Sequence, residues 1–250
     1  KQTIIDRIAV FGEIDELVDK YDIQEIQFSD DNMTINKERA KELFTQLKKY
    51  NLSWCTPNGL MVRTLDEEMI NLMADSGAYQ LTFAIESGSS RVLKKIIDKP
   101  VPEKKKIKSL VDACHDRDVQ VHGLFIIGFP GETRDEMQET LDYPFEIGFD
   151  SVSFFIANPL PGSRLYEQCE KKGYLKAGGM IDFKSSEIYI PEDSPEYVIS
   201  RQGLVDLVEQ KTHEFNEFSR KRNPETWNIK FKQFLKKHGD KADLILGRVT

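Results

Sequence analysis

The chain has 250 residues, 39% apolar, 10% aromatic and 31% charged, the balance of a globular protein with one large domain, or one domain plus an appendage. Its net charge of −7 argues against a general nucleic-acid binder, because neutralising phosphates takes clustered Lys and Arg. The longest apolar run, residues 124–129, falls far short of the ~20 residues of a membrane span, and no secretory signal is visible, so a cytoplasmic location is expected.

Helical and strand periods alternate along the chain. Residues 3–20 predict a helix with Ile4, Ile8, Phe11, Ile14 and Leu17 on one face. A short strand over 24–29 ends in Asp30-Asp31-Asn32, and Asn36 then caps a helix that runs to about residue 50. Residues 53–56 predict a second strand, followed by the turn signal Pro57-Asn58-Gly59. Thr64 and Glu67 have capping-box spacing and predict a helix that stops at Gly77. Residues 81–85 form an apolar strand ending in Glu86-Ser87-Gly88-Ser89; one helix starts at Ser89 or Ser90 and another follows Pro102 to about Arg117. The strand over 119–127 leads into a second capping box, Thr133 and Glu136, whose helix ends near Gly148. A fifth strand over 151–157 precedes Asn158-Pro159-Leu160-Pro161-Gly162 and a helix over about 163–172.

Strands followed by helical segments at a regular interval predict an α/β fold of βα units with a parallel sheet. A barrel-like arrangement is favoured over a doubly wound sheet, because no glycine-rich dinucleotide fingerprint follows the first strand. The series begins on a helix, as though its first strand were missing. From Phe183 onward the rhythm fails: residues 195–222 read as one long amphipathic helix, and Asn223-Pro224 separates it from a second over 225–237. The expected domains are therefore a core over 1–180 and a C-terminal helical extension over 181–250. Residues 201–250 carry a balance of +4, which leaves −11 for the rest, and the runs Lys104-Lys105-Lys106 and Arg220-Lys221-Arg222 read as solvated helix faces.

Ligand sites in parallel βα folds lie at the carboxyl ends of the strands, where the loops converge. Here those positions hold Asp30-Asp31-Asn32, Arg63, Glu86-Ser87-Gly88, residues 128–133 and residues 158–162. Acids, amides, hydroxyls and open glycine backbone suit a polar, partly cationic small molecule. Read singly, the same residues serve as turn formers and capping acids; five such loops in succession favour a site.

The strings Ile26-Gln27-Phe28-Ser29-Asp30-Asp31-Asn32, Phe83-Ala84-Ile85-Glu86-Ser87-Gly88-Ser89, Gly123-Leu124-Phe125-Ile126-Ile127-Gly128-Phe129-Pro130-Gly131-Glu132-Thr133 and Pro159-Leu160-Pro161-Gly162-Ser163 resemble, in this order, the radical S-adenosylmethionine (SAM) superfamily. More narrowly they resemble the branch with cobalamin-dependent enzymes and the magnesium-protoporphyrin monomethyl ester cyclase. The likeness covers about residues 1–180. It implies a partial (β/α)6, TIM-like barrel that binds SAM and a [4Fe-4S] cluster at its strand ends. In an intact enzyme of this kind the cluster cleaves SAM reductively to a 5′-deoxyadenosyl radical, with an electron donor and, for some members, an upstream cobalamin-binding domain. Carried over by position, Asp30 and Asp31 face the SAM amino group, where a carboxylate suits an ammonium. Glu86 and Ser87 fall at the ribose, the strand from Gly123 to Gly128 packs near the adenine, and Asn158 begins a loop whose backbone can pair with the adenine edge. Arg63 joins the same cofactor-binding set.

The family's Cys-x3-Cys-x2-Cys run, just after the first barrel strand, has no counterpart here. Cys55, Cys114 and Cys169 are separated by 59 and 55 residues, and each reads as a small buried hydrophobe. The chain thus reads as a fragment lacking the cluster loop, itself inactive, from a radical SAM enzyme acting on a small-molecule substrate as an oxidative cyclase or methyltransferase. Two other readings stand beside it. One is a tRNA-modifying relative of the methylthiotransferases and the elongator subunit, and the other is a barrel kept as a non-catalytic scaffold. Of the four histidines, His122 lies within a strand motif and His115, His213 and His238 lie on predicted helices with no partner at metal-ligand spacing; all four read as structural, satisfied or solvated.

Overall fold

A computed structural model describes residues 2–30, 33–175 and 187–224, with side chains from residue 10 onward. Among these residues the elements alternate as α1 (Gln2–Tyr21), β1 (Glu25–Gln27), α2 (Lys37–Leu47), β2 (Ser53–Cys55), α3 (Glu67–Asp75), β3 (Ala78–Glu86), α4 (Lys104–His115), β4 (Gln120–Ile127), α5 (Arg134–Ile147), β5 (Ser151–Ile156), α6 (Arg164–Lys172) and α7 (Arg201–Arg222). The five strands are parallel and pair in sequence order, β1-β2-β3-β4-β5. Each strand is added beside its predecessor, which is the topology of a partial (β/α) barrel; a doubly wound sheet would reverse its order partway. Residues 225–237, expected to form a helix, lie outside the described residues.

The chain divides into two compact units, one of residues 1–86 and 99–124, the other of residues 87–98 and 125–250. The first unit packs around Trp54, which is wholly buried, stacks on Phe44 at 5.2 Å and meets Phe28 edge-on at 5.5 Å. Its indole N–H donates to the Ser76 carbonyl at 3.0 Å, so the ring is buried without leaving a donor unpaired. Gly77 makes this approach possible. At φ +101° any side chain is strained, and a Cβ there would lie 2.1 Å from the Leu52 carbonyl oxygen. Helices α2, α3 and α4 pack in sequence through Phe44, Leu47, Met69, Ile70, Met73, Ile107, Leu110 and Val111, all buried. At about 1.5–3 kcal/mol for each large apolar side chain, such burial outweighs any single polar contact in the unit.

Two helix starts differ from the sequence expectation. Thr64 does not open α3: its hydroxyl donates to the Met61 carbonyl inside a short 3₁₀ turn, and Asp66 caps the helix by accepting from the Met69 amide at 2.9 Å. An aspartate immediately before the helix outcompetes a threonine two residues earlier, because the cap has to reach amides of the first turn. The long C-terminal helix begins at Arg201, not 195, with Ser200 as its cap, because residues 194–197 are spent in a turn closed by the Tyr197 amide on the Ser194 carbonyl. Thr133 and Glu136 form the expected reciprocal capping box on α5.

The second unit has an aromatic core in which Phe125 contacts Tyr143, Phe149 and Phe154. Helix α7 packs along β5. Its Ser219 hydroxyl donates to the Asp150 carbonyl at 2.6 Å, Arg222 pairs with the Asp150 carboxylate at 3.1 Å, and Phe215 and Phe218 close on Phe145.

Candidate cofactor site

The candidate positions occupy strand ends and divide between the two units. In the first, Asp30 lies three residues beyond β1 and lines a small cleft with Phe11, Phe28, Met33 and Arg39. Asp31 is outside the described residues. Arg63 is exposed on the 3₁₀ turn after β2; its Nε contacts Met61 Sδ, and among the described residues no carboxylate pairs with it. Gly123 lies within β4, as the strand reading over 119–127 expected, and is buried there.

Glu86 is the last residue of β3 and has φ +70°. A non-glycine residue in the left-handed region is strained, and such strain persists where the side chain is needed for something else. The carboxylate is largely buried, with 16% of its side chain exposed, and accepts from Lys99 Nζ at 2.5 Å. Helix entry does not explain it: at the start of the helical segment that follows, it is Ser89 that serves the amides, its Oγ accepting from Val92 N at 3.4 Å and its carbonyl from Leu93 N at 3.0 Å. Four residues earlier on the same face of β3, Thr82 Oγ1 is buried without a partner. An orphaned hydroxyl and a carboxylate on one strand face fit the hydroxyl-rich ribose of SAM.

In the second unit Ser87 is 1% exposed and turned toward α5: its hydroxyl bonds to Thr140 Oγ1 at 2.9 Å and accepts from Ser89 N at 3.1 Å. That hydroxyl anchors the loop, aided by Gly88, where a Cβ would come within 2.7 Å of the Glu139 carbonyl oxygen. Arg91 grips Glu136 through two guanidinium nitrogens, each at 2.6 Å, and this pairing first, with Thr133 and Ser89, holds the Glu136 carboxyl down to about 2. Gly128 follows β4 at φ +85°, and half-buried Asn158 follows β5.

The residue that sequence reasoning passed over is Glu132. It is 1% exposed, and its Oε2 accepts from Gly128 N at 2.6 Å and Phe129 N at 3.0 Å, while Oε1 has no partner. Burial dominates over those two bonds and pushes its carboxyl up to about 7. A glutamate four residues beyond a strand-ending glycine, across Phe-Pro-Gly, was the available signal.

The cysteines do not fit a cluster. Cys55 lies in β2, Cys114 in α4 and Cys169 in α6; all are buried thiols outside any disulfide, and burial pushes the thiols of Cys55 and Cys169 up, away from the thiolate a metal requires. No group of three metal-ligating side chains converges among the described residues. No described helix is long and apolar enough to cross a membrane.

The sequence model of the Radical SAM superfamily matches residues 3–143. The chain is 40% identical to cytidylyl-2-hydroxyethylphosphonate methyltransferase of Streptomyces wedmorensis over 79% of its own length and 35% of that protein's. It is 37% identical to tRNA-2-methylthio-N(6)-dimethylallyladenosine synthase of Deinococcus radiodurans over 33% of its length and 16% of that protein's. In fold it is similar to TsrM of Kitasatospora setae, a radical SAM methyltransferase whose structure holds cobalamin and a [4Fe-4S] cluster, with a TM-score of 0.57 and 16% identity over 68% of this chain and 34% of that one. The chain thus spans about a third or less of the length of these curated relatives. With more than half of its residues matched by the family's sequence model and a partial-barrel strand order, the chain belongs to the radical SAM superfamily.

Proposed function

We propose that the chain is the SAM-binding part of a methyltransferase of the cobalamin-associated branch, acting on a small molecule. The observation that carries SAM binding is Glu86, a carboxylate held in a strained conformation at a strand end that no helix start explains. Support for methyl transfer comes from the likeness to a phosphonate methyltransferase, which covers 79% of the chain where the likeness to the tRNA-modifying synthase covers 33%. The acidic balance outside the last 50 residues weighs in the same direction.

When bound, SAM supplies the methyl group and the adenosyl moiety. Glu86 accepts from the ribose hydroxyls, with Lys99 Nζ orienting the carboxylate. The guanidinium of Arg63, which no carboxylate among the described residues pairs with, meets the methionyl carboxylate, and Asp30 and Asp31 meet its ammonium. Ser87 acts by anchoring the turn. The described cysteines supply no cluster, and in the whole protein an upstream cobalamin domain and an electron donor complete the machinery.

Calorimetry with SAM on the full-length protein tests this. Glu86→Gln loses a charge-assisted bond of about 1.5–3 kcal/mol, so affinity should fall tenfold or more at an unchanged melting temperature. A lower melting temperature with unchanged affinity would make Glu86 a structural acid and remove the proposal's main support.

A further inference from the structure

A cavity of about 260 Å³ opens in the second unit where β4 ends. Gly128 forms one wall, residues 188–192 a second, and the first turn of α7 a third. The second wall is fixed by an antiparallel bridge between Ile188 and Leu175 and by the Tyr189 amide donating to the Tyr174 carbonyl at 2.7 Å. Two glycines set the close packing of these walls. A Cβ on Gly203 would lie 2.6 Å from Ile199 Cγ1, and one on Gly128 would lie 3.0 Å from Leu204 Cδ1.

Arg201 lines this space, and its Nη1 is fully buried with no hydrogen-bond partner. A guanidinium keeps its charge at any working pH, so it cannot relieve burial by shedding a proton; it needs an acceptor. Tyr197 adds a further donor to the wall, while the Gln202 amide donates to Asp206 at 2.8 Å, and α7 begins there with its positive dipole end. The carboxylate on the wall, Glu192, is exposed, where solvent screens its repulsion of an anion. The volume is several times the ~30 Å³ share of one water, room for a small organic molecule.

We propose that this cavity binds the oxyanion of a small organic ligand, a carboxylate or phosphoryl-type group paired with Arg201, with the ligand's body against Ile188, Tyr197 and Leu204. That the ligand is the methyl acceptor rests on the methyltransferase reading; the anion site itself does not. Amide NMR titration of the 250-residue chain with methylphosphonate, and separately with acetate, tests it. Saturable shifts at Gly128, Arg201 and Leu204 are expected with one or both probes, and the stronger binder identifies the oxyanion class. Arg201→Gln should weaken binding about tenfold or more with the remaining spectrum unchanged. Should that variant not fold, Arg201→Lys keeps the charge but not the fork, and weakened or lost binding supports the site. No saturable shift with either probe, or unchanged affinity in the folded Arg201 variant, overturns it. Anion binding in the chain together with no methyl transfer by the full-length protein would keep the site and discard only its occupant's role as acceptor.

Discussion

Glu86 in the first unit and Glu132 in the second follow neighbouring strands, β3 and β4, and in sequence both are acids in a glycine-containing strand-end loop. Their surroundings separate them. Glu86 sits in a left-handed conformation beside Lys99, and among the described residues its carboxylate accepts from no backbone amide. Glu132 is sealed in, clasps two amides of its own loop and is pushed up to about 7 by burial. The first acid sits on a strained backbone with a lysine for its partner, and the second gives up its solvation to hold a turn. The same residue type at a strand end is therefore a loop clasp only where its loop's amides point at it.

The comparison breaks most readily at Glu132. Glu132→Ala strands the Gly128 and Phe129 amides in a buried loop, at about 1–3 kcal/mol each. Denaturant unfolding should show a loss of about 3 kcal/mol or more, and a loss under 1 would mean that the clasp is dispensable.

A pH series sharpens the same point. The Glu132 carboxyl keeps its proton to about pH 7 in the folded chain, against 4.5 for the ordinary group. Between those values the native state binds more protons than the unfolded one, so stability falls as pH rises, by an amount on the order of 3 kcal/mol. Glu132→Gln should flatten that slope. Glu136 acts in a lower window: its folded value of about 2 means stability is lost as pH falls below about 4.5. A wild-type slope between pH 4.5 and 7 that survives in Glu132→Gln would show another group to be responsible.

Glu86 should answer oppositely to truncation. Glu86→Gly relieves the φ +70° strain, so the chain should unfold at the same denaturant concentration or a higher one, gaining up to about 1 kcal/mol. SAM affinity should fall as it does for Glu86→Gln. A destabilised Glu86→Gly variant would show the carboxylate to be a structural tie. The smallest effect is expected at Lys99, which is half exposed: Lys99→Met should cost about 1 kcal/mol or less.

Much of the fold was legible because apolar spacing reports burial directly. Alternating burial along β4 follows from Val121, Gly123, Phe125 and Ile127 facing one way, and the Thr133–Glu136 box stands in four consecutive residues. Thr64 misled because its spacing to Glu67 satisfied the same pattern while Asp66, nearer the helix, had the shorter reach. The candidate site was legible in outline, as polar loops at strand ends. Which of its members face a ligand was not: the Ser87 hydroxyl is used on Thr140, fifty-three residues later, and no local pattern records that bond.

The order of strands and helices, the membership of the superfamily and the absence of three clustered cysteines in these residues were decided by sequence alone, because periodicity, motif order and cysteine spacing are local properties. Tertiary structure decided what the charged side chains do. The clasp at Glu132, the anchoring of Ser87, the packing of α7 along β5 and the unpaired Arg201 Nη1 all arise where distant segments exclude water from a polar atom. The cost of that exclusion depends on partners that chain distance does not specify.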